Sequence, residues 1–143
     1  VNANARDYLD GWIAHLLLNS LRPAGVALCT VWHSRDGTFR LRPLASPQDA
    51  AARIATLVTL YARGLARPLP YFPRSSWALV KSGGNLRDAR SVWNGNPQYA
   101  GESAEPAFAL AFRGVANPLD EAFLATAGAV LGGLLDHIDD PRL

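Results

Sequence analysis

Near the amino end, apolar residues recur at helical spacing: Tyr8, Trp12 and Leu16 form a stripe with Ile13 and Leu17 beside it, from about Asp7 to Leu21. Pro23 and Gly25 stop it. Val26 to His33 is then almost unbroken in apolar, β-branched and aromatic residues, Ser34-Arg35-Asp36-Gly37 is turn chemistry, and Thr38 to Leu44 alternates. The pattern predicts a hairpin whose second strand turns Phe39 and Leu41 inward and Thr38, Arg40 and Arg42 outward. Pro43 marks a strand end or an edge.

Ser46-Pro47-Gln48-Asp49 supplies a capping oxygen, a proline at the first helical position and a carboxylate three residues after the cap. Ile54, Leu57, Val58, Tyr61 and Leu65 continue that stripe to Pro68, a predicted helix of about 19 residues. Between Arg67 and Trp77 three prolines confine the chain to an extended path, with Ser75 or Ser76 as the cap of a short helix beyond. Asn85 to Asn94 reads as another short helix with Leu86, Ala89 and Trp93 on one side, and residues 94–106 as a polar loop.

The alternation from Ala107 to Phe112 predicts a buried strand with Phe108, Leu110 and Phe112 on one face. Asn117-Pro118-Leu119-Asp120 repeats the capping pattern, and Phe123, Ala127, Val130, Leu131, Leu134 and Ile138 mark the last helix. The sum is an α/β (α+β) arrangement, a small mixed sheet flanked by helices.

Composition fits one domain over residues 1–143: 49% of the residues are hydrophobic and 18% charged, which excludes disorder and coiled coil. No apolar run approaches the ~20 residues of a membrane crossing, nothing at the amino end resembles a secretory signal, and a lone Cys29 forms no internal disulfide. The expectation is a cytoplasmic protein without membrane contact. The chain has no Met and opens on Val1, as a piece of a longer polypeptide would.

Charge changes the picture more. Residues 63–99 carry six basic side chains against Asp88 alone, whereas residues 100–140 carry seven carboxylates against Arg113. Such polarity speaks to partners, a nucleic-acid backbone or a charged protein. Arg63, Arg67 and Arg74 interleave with Tyr71, Phe72 and Trp77, a combination that stacks on unpaired bases or anchors a protein interface. The candidate partner contacts are therefore Tyr71, Phe72, Arg74 and Trp77. The candidate DNA contacts are Arg63, Arg67, Arg74, Lys81, Arg87 and Arg90.

Catalytic signatures are missing. A metal-dependent nuclease of the restriction-endonuclease type needs a strand Asp and a carboxylate-x-Lys, but the only lysine, Lys81, follows Leu79 by two positions. Asp88-Ala89-Arg90 fails as a substitute because positions two apart on a helix diverge by about 200°. Gly83-Gly84 and Gly132-Gly133 lack phosphate-loop context. Cys29 reads as a small core residue, and His137 beside Asp136, Asp139 and Asp140 has no second ligand cluster. The expectation is no catalytic residue, no metal and no cofactor.

The run Tyr61-Ala-Arg-Gly-Leu-Ala-Arg-Pro-Leu-Pro-Tyr-Phe-Pro-Arg-Ser-Ser-Trp-Ala78 resembles the carboxy-terminal domain of the exodeoxyribonuclease V gamma chain, the RecC family. Leu9-x-x-Trp12-x-x-x-Leu16, Phe39-Arg-Leu-Arg-Pro-Leu44, Ala89-Arg90 with Trp93, Gly101-Glu102, and Ala109-Leu-Ala-Phe-Arg-Gly114 before Pro118-Leu119 are similar to it in the same order. The resemblance implies the terminal domain of a much longer bacterial DNA-repair subunit. It implies a restriction-endonuclease-like fold that has lost its catalytic residues. The partners it implies are the alpha (helicase) and beta (helicase-nuclease) chains, with DNA nearby. A stand-alone DNA-binding module or a degenerate metal-dependent nuclease is the alternative.

Overall fold

Local capping sets most helix boundaries. The computed structural model describes residues 4–35 and 37–139, so the turn residue Asp36, Asp140 of the acidic tail and both chain ends lie outside it. Asn4 opens α1 (Ala5–Leu21) with a capping box: its Oδ1 accepts the Arg6 N–H at 2.9 Å, and Asp7 Oδ2 accepts the Asn4 N–H at 2.9 Å. Ser46 Oγ accepts the Asp49 N–H at 3.1 Å and opens α2 (Pro47–Ala66), as its sequence predicts. Asn85 likewise caps α4 (Leu86–Asn94). The last helix, α6 (Glu121–His137), is capped by Asp120, whose Oδ1 accepts the Phe123 N–H at 3.1 Å. Pro118 therefore lies outside that helix.

The chain divides into two compact units: residues 1–60 with 133–143, and Tyr61–Gly132. In the first, β1 (Thr30–Ser34) pairs antiparallel with β2 (Gly37–Leu41), and β2 with the short β5 (Ile138–Asp139). The described sheet is antiparallel, which corrects the expected mixed sheet. β1 is also shorter than the apolar run suggests, because β2 offers partners only to Thr30–Ser34 and Val26 stands half exposed. Phe39 and Leu41 are buried on β2 as expected. Phe39 stacks on Trp32 across the strands with centroids 5.2 Å apart, and Tyr8 of α1 meets both rings edge-on.

The buried face of α1 includes two polar side chains, His15 and Asn19. His15 Nε2 donates to the Arg42 carbonyl at 2.9 Å, and its Nδ1 accepts from the Thr30 hydroxyl at 3.0 Å. Asn19 donates to the His15 and Leu28 carbonyls and accepts the Leu44 N–H at 3.0 Å. These bonds tie the strands and their flanks to the helix. Burial, the larger cause, and the nearby His137 lower the His15 pKa against the opposing pull of the Arg42 carbonyl. A neutral ring is the form that fits both bonds.

The second unit is built on α3 (Pro73–Lys81), α4, the two-residue strands β3 (Gly95–Asn96) and β4 (Tyr99–Ala100), a 3-10 turn η1 (Glu102–Ala104) and α5 (Pro106–Ala111). Phe72 is its centre: fully buried, it meets Trp93, Phe108, Phe112 and Phe123 with centroids between 4.2 and 5.7 Å. Leu79, Ala89, Leu119 and Ala127 complete that core.

Two expectations fail here. Residues 107–111 form helix, not strand, with Phe112 as its carboxyl cap: Pro106 takes the first helical position, and Phe108 and Phe112, four apart, both reach Phe72 while Leu110 is 76% exposed. The path after Arg67 is extended only to Phe72. Pro73 starts α3, so Ser75 and Ser76 lie inside the helix and not at its cap. The stripe of α2 is also not buried throughout, since Val58, Tyr61 and Leu65 are 59%, 69% and 73% exposed.

Candidate interaction surface

The strip read as a contact segment becomes the amino end of α3. Its cap residue, Phe72, has no side-chain bond to give, so a distant group must satisfy the free amides of the first turn. Glu102 does so from 28 and 27 residues away. One carboxylate oxygen accepts the Arg74 N–H at 2.8 Å, and the other accepts the Ser75 N–H at 2.7 Å and the Ser75 hydroxyl at 2.6 Å. Glu102 is 1% exposed. A carboxylate suits the site because it is acceptor-only and its charge meets the positive end of the helix.

Gly101 makes this placement possible, since any side chain there would run into the backbone at Trp93 and Asn94. Tyr71 stands beside the carboxylate, its hydroxyl buried without a hydrogen-bond partner. Burial, and secondly the Glu102 charge, raise its pKa well above the ordinary phenol value.

Of the four expected partner contacts, Phe72 is corrected outright: it is the core's central ring and offers no surface. Tyr71 and Trp77 are half-buried, and Arg74 is exposed, paired with Glu105 at 3.6 Å. The six expected DNA contacts all belong to the second unit and all are exposed. Arg63 and Arg67 lie one turn apart where α2 ends, Lys81 closes α3, and Arg87 and Arg90 share the outer face of α4. Among the described residues only Arg74 of the six has an ion-pair partner.

The carboxylates of the acidic stretch are spent differently. Glu102 is buried as a cap, Glu105 pairs with Arg74, and Asp120 caps α6. In the first unit Asp139 pairs with Arg42 at 3.2 Å, and Arg42 also donates to the Asp136 carbonyl at 2.7 Å. His137 Nδ1 is bonded to the Gly133 carbonyl at 2.8 Å. Among the described residues no group of three His, Cys, Asp or Glu could hold a metal ion. Cys29 is half-buried.

Sequence reasoning singled out the cations but missed the roles of Glu102, His15 and Asn19. The Gly101-Glu102 pair was visible only as a family feature, with no hint of its partner helix. No helix among the described residues is long and apolar enough to cross a membrane.

In class, this is a mixed α/β protein with a small antiparallel sheet and an exposed cationic surface on its second unit. Residues 1–84 of the 143 match the RecC C-terminal domain, and the chain belongs to that family. The match takes in the whole Tyr61–Ala78 run and ends before α4. Family membership ties the chain to a subunit of the multi-subunit RecBCD type of assembly and to DNA repair. No curated protein matches the chain at a significant level.

Proposed function

We propose that this chain is a non-catalytic assembly domain of the gamma chain of exodeoxyribonuclease V, acting in bacterial cytoplasm in double-strand break repair by contacting partner subunits. The observation that carries the reading is the charge of the second unit: Arg63, Arg67, Lys81, Arg87 and Arg90 are exposed and make no ion pair among the described residues. Tyr61 and Leu65 are also exposed on α2, on the face opposite Arg63 and Arg67. Arginine with exposed apolar side chains is the composition of interface anchors. The alpha (helicase) chain is the first partner proposed and the beta (helicase-nuclease) chain the second. A restriction-endonuclease-like ancestry belongs to this proposal and rests on the family alone.

The test is size-exclusion chromatography with light scattering on the chain mixed with the alpha chain. The expected outcome is a one-to-one complex that the charge reversal Arg87→Glu with Arg90→Glu dissociates. Failure of the unaltered chain to co-elute with either partner chain overturns the reading.

The same free cations favour a second reading, direct contact of Arg63, Arg67, Lys81, Arg87 and Arg90 with DNA. That reading requires affinity to fall about tenfold or more between about 50 and 200 mM salt. Salt-independent or absent binding overturns it.

A further inference from the structure

The second unit contains a cleft of about 300 Å³ whose walls differ in chemistry. Arg63 and Arg67 line one side, and neither has an ion-pair partner among the described residues. Leu69, Val115 and Pro118 line another. The only carboxylate of the lining, Asp120, is held as the cap of α6 by its bond to the Phe123 N–H and makes no ion pair among the described residues. Cations at the carboxyl end of α2 suit the helix dipole, but the dipole does not place two of them on the wall of an apolar cleft.

We propose that this cleft receives an acidic segment of a protein partner: a carboxylate between Arg63 and Arg67, with a neighbouring apolar side chain against Leu69 and Val115. The proposal rests on the assembly reading and names the chemistry that the partner brings. Charge complementarity selects an anion, and a guanidinium pair offers the planar fork that carboxylate and phosphate groups both match. The volume lies at the small end of the ~300–1,000 Å³ range of ligand pockets. It therefore fits one or two side chains of an extended segment, not the face of a helix.

Nucleic acid fits less well. Base stacking needs an open aromatic face, and the one aromatic of the lining, Phe112, is held edge-on against Phe72 at 4.9 Å and 73°.

The test follows fluorescence anisotropy of a short labelled peptide alternating Asp and Leu, its counterpart with Asn for Asp, and a single-stranded oligodeoxythymidine, each titrated with the chain. The acidic peptide is expected to bind, the Asn counterpart about tenfold or more weakly. Arg63→Ala with Arg67→Ala is expected to weaken the acidic peptide by about tenfold or more, and Val115→Asp to do the same from the apolar wall. All three positions are exposed, and circular dichroism checks that the variants fold.

No binding of the acidic peptide, or equal binding to the double-alanine variant, overturns the proposal. So does displacement of the peptide by the oligonucleotide, which would make nucleic acid the occupant. If the double-alanine variant still co-elutes with the partner chain at unchanged strength, the cleft proposal falls and the assembly reading stands. If the unaltered chain itself fails to co-elute, the assembly reading falls, and the peptide titration decides the cleft separately.

Discussion

The two units tie distant backbone to a helix with opposite chemistry. In the first, the neutral pair His15 and Asn19 reaches from the side of α1 to carbonyls and one amide of the flanking chain. A mixed set of donors and acceptors calls for side chains that do both. In the second, the anion Glu102 reaches the bare amino end of α3, where only N–H donors wait. That choice has a consequence for the surface. With Glu102 buried, Glu105 paired with Arg74 and Asp120 used as a cap, only Asp88 and Glu121 remain as further carboxylates of the second unit, and among the described residues Arg63, Arg67, Lys81, Arg87 and Arg90 make no ion pair. An interaction surface is made here as much by withdrawing anions as by adding cations.

The largest effect that would break this comparison is at Glu102. Glu102→Ala removes acceptors for two buried amides and one hydroxyl, a loss of about 3 kcal/mol or more from hydrogen bonds to a charged group. Urea denaturation measures it, and hydrogen exchange should show the Arg74 and Ser75 amides deprotected ahead of those of α1. Glu102→Gln is expected to recover only part, because its amide nitrogen would face an N–H donor.

The matching cut in the first unit, Asn19→Ala, orphans the Leu44 N–H and two carbonyl contacts and is expected to cost about 2 kcal/mol. A larger loss at Asn19 than at Glu102 would show that the charged cap is not the stronger device.

Much of the fold was legible where its causes are local. Ser46-Pro47-Gln48-Asp49 and Asn85 announce α2 and α4 because a cap acts within three residues, and the Phe39 and Leu41 alternation announces the buried face of β2. The remainder lies in partners far along the chain. Glu102 caps a helix 28 residues earlier, Asn19 accepts from an amide 25 residues later, and β5 exists only because β2 is there to pair with it.

The error at 107–112 has another source: Phe108, Leu110 and Phe112 satisfy a strand's period, and Phe108 with Phe112 also satisfies a helix's, so the position of Phe72 decides. For the candidate site, the cations were legible as a charge run. Their lack of ion-pair partners was not, because it depends on where each carboxylate is used.

The smallest effect separates the units by pH. His15 is fully buried, its Nε2 donates to the Arg42 carbonyl, its Nδ1 accepts from Thr30, Asn19 lies one turn along α1, and the Trp12 ring stacks on it at 5.8 Å. Protonating Nδ1 destroys its acceptor role and places a charge in the core, with His137 adding repulsion when it too is charged. The folded-state pKa therefore lies below the ordinary imidazole value of 6.5, and below pH 6.5 the unfolded chain binds more protons than the folded one. Stability should be level above about pH 7 and then fall as the pH drops through 6.5 toward the lowered folded value, at no more than about 1.4 kcal/mol per pH unit for one proton.

The decline begins above the range in which carboxylates titrate, about 4, so it reports on the neutral network of the first unit and not on Glu102. Urea midpoints taken between about pH 7.5 and 5 in the unaltered chain and in His15→Gln measure it, the variant being less stable throughout but flatter with pH. An equal slope in both proteins would remove His15 as the cause.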